Sequence, residues 1–293
     1  MSPVTAASPA GSVPRRSGTG PAPLSASQQR LWFLDQWEPG GFTFNGARAV
    51  SIRGPLDVEA LHDALSTVVS RHEVLRTVYR VFTREPRQVV LDDWELELPV
   101  LDLSALPARE RPMRLAEDVR RLAREPFDLA NDLMFRTTLF RLGPEHHVLL
   151  VRMHHIAGDA FTVDIVFGEL SALYEAGITG APAVLPDVPL QYADFACWQN
   201  ERLQGPVLER LEAYWSNELR GVPQLLPLPT DRPRRDVQRH EGGLHEVVSQ
   251  SWSCLPCGRL DYTPGELAYH LCVKLIEPEQ VIAAARRVLA LRK

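Results

Sequence analysis

The chain has 293 residues, 45% of them hydrophobic and 24% charged, with a formal net charge of -5 and a pI near 6.0. Those proportions suit a globular protein of one large domain or two smaller ones. No Lys/Arg-rich run stands out, which speaks against a nucleic-acid partner, and no apolar stretch approaches the roughly 20 residues that span a bilayer.

Residues 1–22 are Pro, Ser, Gly, Ala and Thr with almost no large apolar side chain, so they read as a flexible tail or linker, with order expected to begin near Leu24. Ser25-Ala26-Ser27-Gln28 has the form of a capping box ahead of Leu31, Trp32 and Leu34. Residues 42–53 read as a strand ending at Gly54-Pro55. Asp57 then caps an amphipathic helix with Val58, Leu61, Leu65 and Val68 on one face. Residues 75–82 are a strand, and 108–124 an Arg-rich polar helix. Phe135 to Leu142 and His147 to Met153 flank Gly143-Pro144-Glu145 as a hairpin. Val148 to Val151 is continuously apolar, as in a strand buried on both faces. A helix from Phe161 to Ala176, closed by Gly177, follows, then two more near 192–203 and 206–219. The alternation of strands and helices predicts an α/β fold. Residues 249–265 are irregular, and Pro278 to Lys293 form an amphipathic helix opened by proline.

The segment that carries chemistry is Met153-His154-His155-Ile156-Ala157-Gly158-Asp159-Ala160. Two histidines sit at the end of a buried strand, where successive side chains point to opposite faces, so one of them faces any given cavity. His155 shares its face with Met153 and Val151, and His154 shares the other with Arg152. Such a strand end is a rigid mount for an imidazole, whose ordinary pKa suits proton transfer near neutrality. The competing reading makes one or both histidines hydrogen-bonded core residues and Asp159 a helix cap. His146 and His147, at the hairpin turn, read as solvated, and the two histidine pairs lie about 20 Å apart along one strand, too far to share a metal. Cys254, Cys257, His270 and Cys272 form a loose zinc-like set, for which free thiols are the simpler account. Trp32, Trp198 and Trp215 read as core packing. The four cysteines are too few for a disulfide framework, and the N-terminus has no signal-like apolar core, so the cytoplasm is the expected location.

His-His, three residues, then Asp is the signature of condensation domains of nonribosomal peptide synthetases and their chloramphenicol acetyltransferase-like relatives, and the chain resembles the N-terminal half of such a domain. Leu24 to Leu34 looks like the first condensation motif, Arg71-His72-Glu73-Val74-Leu75-Arg76-Thr77 like the second, and Tyr192 to Gln199 like the fourth. Leu228-Pro229-Thr230-Asp231-Arg232-Pro233 matches the short element after it. The matches run in order over residues 24–243.

The resemblance implies a mixed β-sheet flanked by helices, with residues 23–248 forming one lobe and 249–293 an atypical tail. It implies amide formation between carrier-bound acyl and aminoacyl thioesters, with no cofactor bound directly and both substrates on the phosphopantetheine of carrier proteins. His155 becomes the base or the positioning group, His154 counts as catalytic beside it by orienting the loop, and Gly158 is structural. Asp159 pairs with an arginine, for which Arg76 is the candidate. Losing one partner of such a buried pair costs about 3–5 kcal/mol.

Two features depart from the family pattern. Ala160 stands where the family has glycine, which matters only if the backbone there needs a positive φ or a close approach. The family's second lobe finds no match after about Gly243, which fits a truncated form or one completed by self-association. Besides catalysis, a silent module docking carrier proteins or other synthetase modules, an epimerisation-type relative, and more distantly a metal-dependent hydrolase remain as readings.

Overall fold

In a computed structural model that describes residues 13–222, seven strands and six helices follow one another in the order expected of an α/β chain. They are β1 (Ala22–Pro23), α1 (Ala26–Trp37), β2 (Asn45–Arg53), α2 (Val58–Arg71), β3 (Thr77–Phe82), β4 (Glu85–Val90) and β5 (Val100–Asp102). Then come α3 (Arg111–Ala123), β6 (Phe135–Gly143), β7 (His146–His154), α4 (Ala160–Thr179), α5 (Tyr192–Arg202) and α6 (Gly205–Glu218). A single 3-10 turn, Glu73–Arg76, joins α2 to β3.

The main sheet has the order β2-β7-β6-β5, antiparallel except for the parallel pair β5–β6, and is therefore mixed. The apolar run of β7 follows from its place between β2 and β6, with both faces covered. On one face Leu149, Val151 and Met153 join Phe135 and Leu139 of β6 beneath Leu61, Leu65 and Val68 of α2 and Val166 and Leu170 of α4. On the other, Val148 and Leu150 meet Phe140, Leu142 and Leu122 of α3. The result is three layers, α2/α4, sheet, α3, with the tip of β7 emerging at one edge.

A smaller antiparallel sheet, β1-β4-β3, holds the start of the chain. Order begins earlier than Leu24. Arg16 donates its backbone N–H to Asp194 at 3.1 Å and its guanidinium to Glu73 at 2.9 Å, and Arg15 reaches the Pro189 carbonyl at 2.7 Å. These partners lie far away in sequence, so nothing local announced them. Residues 1–12 and everything after 222, including the expected boundary at 248, the Cys254/Cys257/His270/Cys272 set and the helix from Pro278, lie outside the described residues.

Three further expectations are corrected. The helix after β7 runs past Gly177 to Thr179, because Gly180 (φ 72°) takes the left-handed capping position. His147 is 4% exposed rather than solvated, since β7 starts a residue earlier and pairs His147 with Ile52 inside the sheet. Trp215 is 56% exposed: α6 buries none of its residues among those described.

The β3–β4 hairpin turns on Thr83 (φ 48°) and Arg84 (φ 73°), both in the left-handed region with no glycine. Turns with two positive φ values favour Asn-Gly, and a β-branched residue is strained there. Thr83→Asn combined with Arg84→Gly is expected to raise stability by about 1 kcal/mol, seen as a higher urea midpoint with unchanged m-value.

Candidate active site

β7 ends at His154, and His155, Ile156 and Ala157 form the turn that leads to α4. The turn is closed by its own backbone. The His155 N–H donates to the Phe44 carbonyl at 2.8 Å, extending the β2–β7 ladder by one bond, and the Ala157 N–H donates to the His154 carbonyl at 2.9 Å.

The two histidines are sharply different. His154 is 3% exposed, and the rings of Phe44 and Phe127 stand edge-on to it with centroids 6.2 and 6.1 Å away. Burial, and then the charge of neighbouring His155, push its pKa down to about 4. It is therefore neutral near pH 7. The Ile156 N–H donates to its Nδ1 at 3.1 Å, so Nδ1 is bare and the proton sits on Nε2.

His155 is exposed. Its Nδ1 lies 3.1 Å from the Gly158 carbonyl oxygen. A carbonyl only accepts, so Nδ1 carries the hydrogen and the neutral ring presents a bare Nε2. Adjacent histidines thus hold opposite tautomers: a buried one that braces the loop, and an exposed one with a free lone pair.

Gly158 is fixed by its neighbour. A Cβ there would sit 2.7–2.9 Å from the Thr162 side chain. Thr162 cannot yield, because it belongs to a reciprocal cap: its N–H and Oγ1 donate to Asp159 Oδ1 at 3.1 and 3.2 Å, while the Asp159 N–H donates to Oγ1 at 3.1 Å. Asp159 is the N-cap of α4, and Ala160 is the first helical residue, where alanine is harmless.

The expected Asp159–Arg76 pair is absent among the described residues. Arg76 donates instead to the Leu91 carbonyl and lies 4.0 Å from Asp92, its Nε buried without a partner. Asp159 is exposed and committed to the cap. Asp159→Ala is accordingly expected to cost about 1 kcal/mol, the usual worth of an N-cap, rather than the larger loss expected of a buried ion pair. A urea titration that lost about 3 kcal/mol or more would restore the pair.

The motif residues have structural work that the sequence did not specify. Arg71 Nε and Nη2 grip Glu169 of α4 at 3.1 and 3.3 Å, and His72 Nε2 meets the same carboxylate at 2.9 Å. Burial raises the Glu169 pKa, but the bonds from Arg71 and His72 outweigh it and hold the carboxyl below its usual range. The first and fourth motifs dock on each other: Ser25 Oγ meets Tyr192 Oη at 2.9 Å, and Gln199 Oε1 accepts the Ala26 N–H at 2.8 Å. A cleft lined by Trp32, Asp35, Tyr79, Phe127 and Asp132 does not include His155.

Comparison with known proteins gives the chain's family and fold relatives. The family model "Condensation domain" matches residues 19–249. Phosphinothricin tripeptide synthetase PhsC of Streptomyces viridochromogenes is 43% identical over 235 residues, 78% of this chain and 21% of that protein. Isonitrile lipopeptide synthase of Mycobacterium tuberculosis is 40% identical over 228 residues, 75% of this chain and 9% of that protein. The solved X-domain from teicoplanin biosynthesis superposes with a TM-score of 0.64 at 33% identity, covering 78% of this chain and 49% of its own. The starter condensation domain of rhizomide synthetase RzmA shares the fold, with a TM-score of 0.62, 22% identity, and coverage of 70% of this chain and 49% of its own. The chain thus spans about half the length of these solved relatives and a small part of the synthetases, and with its His154–His155 turn, its mixed sheet and its matched residues 19–249 it belongs to the condensation-domain family.

Proposed function

We propose that the chain catalyses acyl transfer between two carrier-bound thioesters. The amine of the acceptor attacks the thioester carbonyl of the donor, a C–N bond forms, the C–S bond breaks, and the donor carrier's thiolate leaves. His155 Nε2 takes the proton that the amine must lose and returns it to the departing sulfur, leaving the enzyme unchanged. The observation that carries this reading is the exposed, bare Nε2 beside a neutral, buried His154. General-base help of this kind is worth about 10²–10⁴-fold, and the positioning of two tethered reactants contributes more. Phosphopantetheine belongs to the carriers, so no cofactor of the chain's own enters the step. Carrier proteins and other synthetase modules are the partners. Self-association is a further one, supported by the exposed Tyr214, Trp215 and Leu219 and read by sedimentation.

A single turnover with one donor-loaded and one acceptor-loaded carrier, followed by intact mass, tests the proposal. Gain of the donor mass by the acceptor carrier is the expected result. No gain from a folded chain overturns it.

A second reading, a docking module without chemistry, is favoured by the 33% identity to the teicoplanin X-domain, which was solved in complex with OxyB. Carrier or partner binding without transfer would select it.

A further inference from the structure

Beneath the turn that carries His155 lies a chain of buried polar side chains. Gln28 of α1, Tyr79 of β3 and Gln88 of β4 are 1%, 2% and 1% exposed. Gln88 Nε2 donates to the Pro23 carbonyl at 2.7 Å and to Gln28 Oε1 at 3.4 Å. Gln28 Nε2 donates to Tyr79 Oη at 3.1 Å and to the Ile156 carbonyl at 3.5 Å. Tyr79 Oη donates to that same carbonyl at 3.3 Å. Burial pushes the Tyr79 pKa up, so its phenol keeps the hydrogen it donates. Every bond in the series points the same way, and the series ends on the residue after His155.

The other polar atom of Ile156 is equally fixed, its N–H donating to His154 Nδ1 at 3.1 Å. Side chains from three separate elements therefore set the peptide planes on both sides of Ile156. Burying three polar side chains is costly unless all are satisfied, and phenylalanine at 79 and apolar residues at 28 and 88 would fill the same space without that cost. What the polar choice adds is a defined orientation at one carbonyl.

We infer that Gln28 and Tyr79 are positioning residues: by holding the Ile156 carbonyl they fix the turn so that the His155 Nδ1–H stays on the Gly158 carbonyl and Nε2 stays bare. The inference rests on His155 being the reacting base proposed above. Neither Gln28 nor Tyr79 bonds to the His155 ring, and both act through the backbone between them.

The test is the tautomer of His155 in the full chain, read by two-bond proton–nitrogen correlation on ¹⁵N-histidine-labelled protein, with His155→Ala assigning the signal. Wild type is expected to show the Nδ1–H form alone. Tyr79→Phe removes one hydroxyl and almost no volume, and is expected to give a mixture richer in the Nε2–H form. The single-turnover rate should fall about tenfold, as misplacement of a reacting group does, with the acceptor concentration at half-saturation unchanged. Gln28→Met removes both bonds that Gln28 Nε2 donates, along with those Oε1 accepts from Ser25 and Gln88, and should give the same tautomer response. Val68→Ala, a core truncation in α2, is the control for stability alone and should leave tautomer and rate untouched. A Tyr79→Phe protein that keeps the pure Nδ1–H form overturns the inference. If wild type transfers nothing while the variants still shift the tautomer, the transfer reading fails and the positioning of His155 stands.

Discussion

His155→Ala is expected to lower single-turnover transfer by about 10²–10⁴-fold, the usual worth of general acid–base help, while leaving thermal unfolding close to that of wild type. The two halves of that result follow from separate observations. The ring is exposed and makes one side-chain hydrogen bond, to the Gly158 carbonyl, so its removal leaves no buried cavity. The carbonyl it frees can turn to water. In the proposed reaction the bare Nε2 takes the amine proton, and alanine offers no substitute. His155→Gln, which places a neutral polar group at similar reach and cannot accept a full proton near pH 7, should be nearly as impaired. A variant that keeps most of the rate would assign the turn to substrate positioning and the proton to bulk water.

The second large effect is on stability against pH. Folded His154 has a pKa of about 4 against 6.5 for an ordinary histidine. Between those values the unfolded chain binds the proton and the folded chain does not, so stability is full above pH 6.5 and drains away as the pH falls toward 4. A displacement of that size is worth about 3 kcal/mol. Burial and the charge of Arg141 displace His147 in the same direction, adding to the loss. His154→Asn offers an oxygen near the position of Nδ1 to accept the Ile156 N–H, and cannot protonate. Urea midpoints from pH 7.5 to 4 should fall less steeply for the variant than for wild type. Its stability at pH 7.5 should be lower, because the smaller side chain leaves space between Phe44 and Phe127. Parallel slopes would show that His154 takes no part in acid unfolding.

How much of this could be read in advance depended on how local the signal was. The β6–β7 hairpin, α2 with its Asp57 cap and the capping box at Ser25 all have their determinants within a few residues, and each stands within a residue of where the sequence put it. β4 was missed because its turn, Thr83-Arg84, carries none of the residues that usually announce a positive φ, and because Pro86 lies within the strand. β5, three residues long, is too short to show a period. At the site, the histidine pair and the glycine were legible as a motif, whereas the tautomers depend on which carbonyl or amide lies opposite each nitrogen. The Asp159–Arg76 expectation failed for a related reason. The resemblance implied a partner across the fold, while the first turn of α4 supplied one next door, as the helix-cap reading of Asp159 had it. Glu169 gathers Arg71 and His72, which stand 98 and 97 positions away, so nothing local marks it.

The pairing of β2 with β7 has a consequence for how the protein is made. Asn45 opposite His154 joins residues roughly a hundred positions apart, while the β6–β7 hairpin closes over a two-residue turn, and contacts so far apart along the chain form late. On the ribosome, β2 emerges early and has no mate until β7 follows it out. The bond from His155 to the Phe44 carbonyl is the end of that ladder. Its amide proton should therefore be among the last protected in refolding, so that the turn carrying His155 is set only when the fold is nearly complete.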